Sequence, residues 1–152
     1  MYDEPITCWE DLAIGQVYEY GAVSISESEI IEFAKAYDPM PFHICPEKAK
    51  QSPFGQLIAS GLHTLSINQR MSFDHVFSQW AVIAGKEISH CQFLAPVFAD
   101  DVLSAQLTIT DLKTLGNNAR GSVYFSIVTK NQLNQPVLSI RCEMILACKS
   151  RV

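Results

Sequence analysis

The sequence predicts an α+β fold in which an antiparallel sheet is wrapped around one central helix. The first observation is a strongly apolar run from Ser60 to about Phe77, which has helical spacing and opens on a small Ser-Gly pair. The second is a change of period after Trp80, where apolar and polar residues begin to alternate as they do in strands with one buried face. The third is the order of the elements, since a strand and a helix come before the long helix and a run of strands comes after it.

The first half of the chain contains a strand and a capped helix. Residues 1–15 read as an irregular lead-in that Trp9 and Leu12 attach to the core, and residues 16–23 (QVYEYGAV) are rich in strand formers. The next segment, SESE, has Ser26 at an N-cap and Glu29 three residues later, which is the pattern of a capping box. The helix that follows should end at residues 38–39, because Asp-Pro cannot continue it.

The second half contains the central helix and the sheet. A short helical turn is expected at residues 47–51, and the central helix has its apolar residues near its start at Leu62, Leu65, Ile67 and Met71. Strands are predicted at residues 82–93 and 102–111, around residues 123–127, and at residues 138–146. Turns are predicted at residues 116–118 (GNN) and 134–136 (NQP). The apolar face of this meander should pack on the central helix.

Composition limits the classes of function. A chain of 152 residues with 48% hydrophobic and 18% charged residues fits one folded domain, which we assign to residues 1–152. The net charge of −5 argues against nucleic acid or an anionic membrane surface as the main partner. No apolar run approaches membrane-spanning length, and the acidic start MYDEPITCWEDL lacks the pattern of a secretory signal.

The five cysteines are scattered and contain no CxxC pair. An odd, dispersed set is typical of reduced thiols, so we expect a cytoplasmic protein. Cys91 and Cys142 lie among apolar strand residues and are predicted to be small buried hydrophobes. No metal site is expected, because the histidines have no ligand partners at a suitable spacing.

The segment from Asp38 to Thr64 carries the candidate site. It places a carboxylate at Asp38 and an imidazole at His43 on a stretch that Pro39 and Pro41 exclude from a helix interior. The Ser-Gly pair that opens the central helix leaves backbone N–H groups free to bind a ligand. An acid, a base and an anion-binding backbone close together indicate a site, although they do not name a reaction.

Three blocks of this sequence resemble the MaoC-like dehydratases, a family that includes the (R)-specific enoyl-CoA hydratases. They are DPMPFH at residues 38–43, FGQLIASG at residues 54–61, and FLAPVFADDVL at residues 93–103. The family patterns are Asp-x-Asn-Pro-apolar-His, FGxxIAxG and FxxPVxxGDxL, and the resemblance runs from about residue 9 to residue 146. Two positions depart from them: Met40 stands in place of Asn, and Asp100 in place of Gly.

The resemblance implies a hot-dog fold and the reversible hydration of a trans-2-enoyl thioester to an (R)-3-hydroxyacyl thioester in fatty acid metabolism. Asp38 and His43 would act as the acid–base pair, and the Gly61 N–H would stabilise the enolate oxygen. No metal or redox cofactor is implied, because coenzyme A or an acyl carrier protein enters as part of the substrate. The expected substrate-binding residues are Phe54, Leu57, Ser60, Leu62 and His63.

Other readings stay open at this level. Asp38 could be a turn residue, His43 a structural histidine, and Gly61 a site of close packing. A hot-dog thioesterase would need a carboxylate near the central helix, and this helix offers only Asp74. A non-catalytic acyl-thioester-binding subunit is a further alternative, which Met40 favours. Free edge strands predict a homodimer or a dimer of dimers. The sequence does not select the acyl chain or the carrier.

Overall fold

The computed structural model describes residues 6–116 and 119–151, and they form a five-stranded antiparallel sheet with one long helix against it. The α+β prediction is therefore confirmed. The helices and strands, in chain order, are β1 Val17–Ser24, α1 Glu27–Tyr37, α2 Pro41–Ile44, α3 Pro46–Lys50, α4 Gly61–His75, β2 Val82–Phe93, β3 Val102–Leu115, β4 Arg120–Lys130 and β5 Pro136–Ala147.

The sheet has the strand order β1-β3-β4-β5-β2, so β1 and β2 are its two edges. All four strand pairs are antiparallel, and β2 pairs with β5 over almost its whole length. Alternate residues of β3, β4 and β5 form the core with the buried aromatic rings of Phe77 and Trp80. The predicted alternation of β3 is confirmed, and this strand runs four residues beyond the predicted end.

Helix α4 lies on the inner face of the sheet, as predicted, but its buried side is more polar than its apolar residues suggested. The side facing the sheet consists of Thr64, Asn68, Met71 and Ser72, all buried. Ser72 Oγ lies 2.7 Å from the Tyr20 hydroxyl on β1. Leu62, in contrast, is 49% exposed. The start of α4 was expected to be wrapped by other structure, and in a single copy of this chain Leu62 is not.

Helix α1 forms through the predicted capping box. The Ser26 hydroxyl accepts a hydrogen bond from the Glu29 backbone N–H at 3.2 Å, and the Ser26 N–H donates to the Glu29 carboxylate at 2.7 Å. These hydrogen bonds lower the pKa of Glu29 below its ordinary value. The helix ends at Tyr37, one residue before Asp38-Pro39, where proline was expected to stop it.

The expected irregular segment after Asp38 is shorter than the prolines suggested. Residues 38–40 are irregular, but a single helical turn, α2, begins at Pro41 and contains His43. Proline is tolerated at the first helical position because the N–H that it lacks has no intrahelical partner there. His43 is thus held by a helical turn and not by an irregular loop.

The lead-in and the turns follow the predictions where the structure describes them. Trp9 Nε1 donates to the Ser122 carbonyl at 3.1 Å, and Leu12 is buried, so both attach the lead-in to the core.

The turn before β5 has Asn134 at φ 60. Gly116 has φ 59, whereas Asn117 and Asn118 of that predicted turn lie outside the described residues. Asp100 has φ 68, a left-handed conformation that suits the glycine of the family pattern.

The cysteine prediction is wrong for Cys91. This residue is exposed because β2 is an edge strand with no structure over it, and Cys142 is half-buried with a pKa raised to about 11, chiefly by burial. All five cysteines are free thiols.

Within residues 6–116 and 119–151, no helix is both long and apolar enough to cross a membrane. The cytoplasmic location stays a prediction.

Candidate active site

A cavity of about 410 Å³ lies where the α1–α2 connection meets the start of α4 and the end of β2. Both Asp38 and His43 line it, together with Gly61, so the structure brings the three predicted catalytic groups to one place. Phe54 and Leu62, predicted to bind substrate, line it as well. The remaining wall comes from residues 58–60, Thr64, residues 93–97 and Val137.

The tautomer of His43 is fixed by a backbone carbonyl. His43 is 5% exposed, and its Nδ1 lies 2.7 Å from the Ile58 oxygen. Because a carbonyl oxygen only accepts hydrogen bonds, Nδ1 carries the proton and Nε2 is the nitrogen left for chemistry. Nε2 points to the Asp38 carboxylate, with 3.5 Å between Nε2 and Oδ2.

The carboxylate of Asp38 is held from the other side by Ser60. Asp38 is the C-cap residue of α1, and its Oδ2 accepts a hydrogen bond of 2.7 Å from the Ser60 hydroxyl. Ser60 is the N-cap residue of α4 and is fully buried. The end of α1 and the start of α4 are therefore joined at the Asp38 carboxylate.

The surroundings of Gly61 bear on its two predicted roles, as a donor to an anionic oxygen and as a site of close packing. Within the described residues its N–H has no hydrogen-bond partner, and it lies at the positive end of a helix of 15 residues. A Cβ at this position would lie 2.8 Å from the Phe93 ring, so a larger residue here would displace that half-exposed ring. The N–H is free to bind an anionic oxygen beside Asp38 and His43.

Three of the residues predicted to bind substrate make contacts that the sequence did not predict. Leu57 is buried in the core and does not line the cavity. His63 also lies outside its wall, because it stacks on Phe33 of α1 with ring centroids 4.4 Å apart, and burial lowers its pKa. Ser60 lines the cavity, but its one hydroxyl hydrogen is used by Asp38.

The cavity is also lined by residues that the sequence did not predict as site residues. Phe93 and Leu94, at the end of β2, are about half exposed and form its outer edge. Ile58 contributes the carbonyl that orients His43. All three residues lie in the blocks at residues 54–61 and 93–103. The resemblance to the family could therefore have identified them, whereas the chemistry of their side chains could not.

No group of three or more His, Cys, Asp or Glu side chains in the described parts of the chain is arranged to hold a metal ion. The chemistry available in the cavity is that of a carboxylate, an imidazole with a free Nε2 and a backbone N–H. Together these groups can bind water, move protons and stabilise a developing oxyanion.

Comparison with known proteins agrees with this geometry. The model of the MaoC-like domain family matches residues 11–131, so the chain belongs to the MaoC-like dehydratase family. The uncharacterized protein YdeM of Bacillus subtilis is 33% identical over 123 residues, which cover 81% of this chain and 86% of YdeM. A 3-hydroxybutyryl-CoA dehydratase of Methylorubrum extorquens is 29% identical over 105 residues, 68% of this chain and 64% of that protein.

A similar solved structure is that of a monoamine oxidase regulatory protein from Archaeoglobus fulgidus. It superposes with a TM-score of 0.87 at 28% identity, over 97% of this chain and 98% of that one. The fold is therefore the hot-dog fold that the resemblance implied.

Proposed function

We propose that this protein catalyses the reversible hydration of a trans-2-enoyl thioester to an (R)-3-hydroxyacyl thioester. The observation that carries the proposal is the arrangement of His43 Nε2, 3.5 Å from Asp38 Oδ2, in a cavity that also contains the free Gly61 N–H. The M. extorquens relative, a 3-hydroxybutyryl-CoA dehydratase, supports this class of substrate.

The acid–base pair suits a bound water molecule. In the neutral form with the proton on Nδ1, the ring of His43 faces the Asp38 carboxylate with a lone pair, so that two acceptors oppose each other. One water can donate a hydrogen to each of them, which leaves its oxygen lone pairs directed at a substrate in the cavity. Attack of that oxygen on C3 of the enoyl group passes one water proton to the pair.

The second proton transfer completes the addition. As C3 gains the hydroxyl, negative charge develops on the thioester oxygen, where the Gly61 N–H at the helix terminus would stabilise it. The pair then delivers a proton to C2. Since one pair performs both transfers, hydroxyl and hydrogen add to the same face of the double bond. Dehydration is the same sequence in reverse.

The first experiment follows loss of the conjugated enoyl-thioester absorbance when purified protein is mixed with crotonyl-CoA, and then with longer and branched enoyl-CoAs. We expect the absorbance to fall without release of free thiol, and His43→Ala to abolish the change. Thiol release would indicate a thioesterase. The structure disfavours that reaction, because Asp74, the carboxylate that α4 offers, does not line the cavity that contains Gly61. Binding without turnover would indicate the non-catalytic subunit that Met40 favours.

We further propose that two copies associate through β2. This edge strand of 12 residues is exposed along most of its length, with apolar side chains at Ile83, Ile88 and Phe93. The other edge, β1, is shorter and has one exposed large apolar residue, Val17. When β2 pairs antiparallel with β2 of a second copy about a twofold axis, the free backbone groups of both strands form hydrogen bonds. The apolar side chains of each strand are then covered by the other copy.

A groove between α4 and β2 supports the same association. It has a volume of about 970 Å³ and is lined on one side by Leu65, Gln69 and Phe73 and on the other by Lys86 and Ile88. We call it the α4–β2 groove. Phe93 and Leu94, at the end of the same strand, reach the active-site cavity. A second copy on β2 would therefore also lie beside the entrance to the active site.

A further inference from the structure

The carboxylate of Asp38 has two polar side-chain neighbours in the described part of the chain. Ser60 Oγ lies 2.7 Å from Oδ2, and His43 Nε2 lies 3.5 Å from the same oxygen. The hydrogen bond to Ser60 is therefore the closer and better-formed of the two.

The direction of this hydrogen bond is determined by the start of α4. Ser60 Oγ accepts a hydrogen bond from the Leu62 N–H at 3.2 Å, as the N-cap residue of the helix. The hydroxyl then has one hydrogen to donate, and Asp38 Oδ2 is its acceptor. The chain of hydrogen bonds runs from the backbone of α4 through Ser60 to the carboxylate, and each bond polarises the next.

The residue that supports this segment in the family pattern is an asparagine, which this chain lacks. The Met40 that replaces it is half-exposed and has no polar group in its side chain. The end of an aspartate side chain rotates over a broad range unless a partner restricts it. Ser60, which is fully buried, provides that restriction for Asp38.

We propose that Ser60 is a positioning residue that fixes Asp38 Oδ2 opposite His43 Nε2, and that it does not bind substrate. This inference rests on the proposed hydratase function. It assigns a role to the variable position of the FGxxIAxG block and offers a physical reason why Met40 is tolerated. In the family pattern an asparagine supports the segment that contains the aspartate, whereas in this chain a hydrogen bond to the carboxylate comes from the N-cap of α4.

The test compares two substitutions that each remove an N-cap serine. Ser60→Ala removes the cap of α4 and the hydrogen bond to Asp38, whereas Ser26→Ala removes only the cap of α1, at the end of that helix remote from Asp38. Each should lower thermal stability, and Ser60→Ala should do so more, because it also removes a buried hydrogen bond. Steady-state kinetics with the best enoyl-CoA substrate, and crystal structures of wild type and Ser60→Ala, then separate the roles.

We expect Ser60→Ala to lower kcat about 10- to 100-fold, as misplacement of a reacting group does, with KM changed less than about threefold. Ser60→Thr, which keeps a hydroxyl, should recover most of kcat, and Ser26→Ala should keep it. In the Ser60→Ala crystal structure the Asp38 carboxylate should rotate away from His43. An unchanged kcat in folded Ser60→Ala would overturn the inference.

The crystal structures also decide the inference independently of turnover. If wild type turns over no enoyl thioester, the proposed function fails, but the position of Asp38 in the two structures still tests the role of Ser60. A carboxylate that stays opposite His43 without the Ser60 hydroxyl would overturn the inference. A kcat loss that Ser60→Thr does not recover, with Asp38 in place, would do the same.

Discussion

The two sides of helix α4 differ in what covers them. The closed side consists of Thr64, Asn68, Met71 and Ser72, all buried against the sheet, and Thr129 of β4 donates to Asn68 at 2.9 Å. The open side consists of Leu62, Leu65, Gln69 and Phe73, with Leu62 49% and Phe73 52% exposed. The start of the same helix contributes Ser60 and Gly61 to the candidate active site. A helix fixed on one side can hold these groups still, while its open side remains available to a second copy.

The largest effect is expected at the active site itself. Asp38→Asn keeps the shape of the side chain but removes a proton acceptor, so kcat should fall by about 10²- to 10⁴-fold while the free energy of unfolding changes little. Asp74→Asn on the surface of α4 is the matched control and should retain kcat, because it breaks only an exposed ion pair with Arg70. An unaffected rate in Asp38→Asn would contradict the mechanism.

The difference between the two sides should appear in stability. Met71→Ala on the closed side removes a fully buried side chain and should lower the free energy of unfolding by about 2–5 kcal/mol. Phe73→Ala, two residues away on the open side, removes a half-exposed ring and should cost much less in the isolated monomer. Urea denaturation of both variants, each combined with the substitution Ile88→Asp that should keep the chain monomeric, measures the difference. Equal losses of unfolding free energy in the two variants would mean that Phe73 is packed as well as Met71, which would contradict the difference between the two sides.

The open side and β2 should control association. Ile88→Asp places a charge at the exposed centre of β2 and should convert a dimer into monomers, seen by light scattering after gel filtration. Leu133→Asp is the matched control, because Leu133 is 79% exposed in the loop before β5 and outside the α4–β2 groove. If wild type is monomeric at micromolar concentration, or Ile88→Asp still dimerises, the proposed interface is wrong.

The smallest effect concerns His63, which is buried against Phe33. Burial lowers its pKa below the ordinary value of 6.5, and Glu29 opposes this only in part. The unfolded chain therefore binds a proton before the folded one does, so stability present above about pH 6.5 should fall as pH drops through that value. His63→Gln should flatten this dependence in urea titrations at several pH values. An identical slope in the variant would exclude His63 as its source.

The fold and the site differ in how far sequence could predict them. The capping box at Ser26, the stop at Asp38-Pro39 and the alternation of β3 depend on neighbouring residues, and all were predicted from local patterns. The contacts of Ser60 and His63 were not predicted, because a side chain's partner depends on tertiary contacts. Ser60 turns to Asp38, which lies 22 residues earlier, and His63 stacks on α1. Cys91 looked buried because its neighbours are apolar, whereas β2 is an edge strand.

The proposed mechanism depends most directly on one pair of groups placing both new bonds on one face of the substrate. Hydration of crotonyl-CoA in D₂O, with the product analysed by NMR and chiral separation, measures this. We predict the (R)-3-hydroxyacyl product, with deuterium at C2 on the same face as the new hydroxyl. Addition to opposite faces would contradict a mechanism in which Asp38 and His43 share one water molecule, and the (S) product would contradict the proposed (R) configuration.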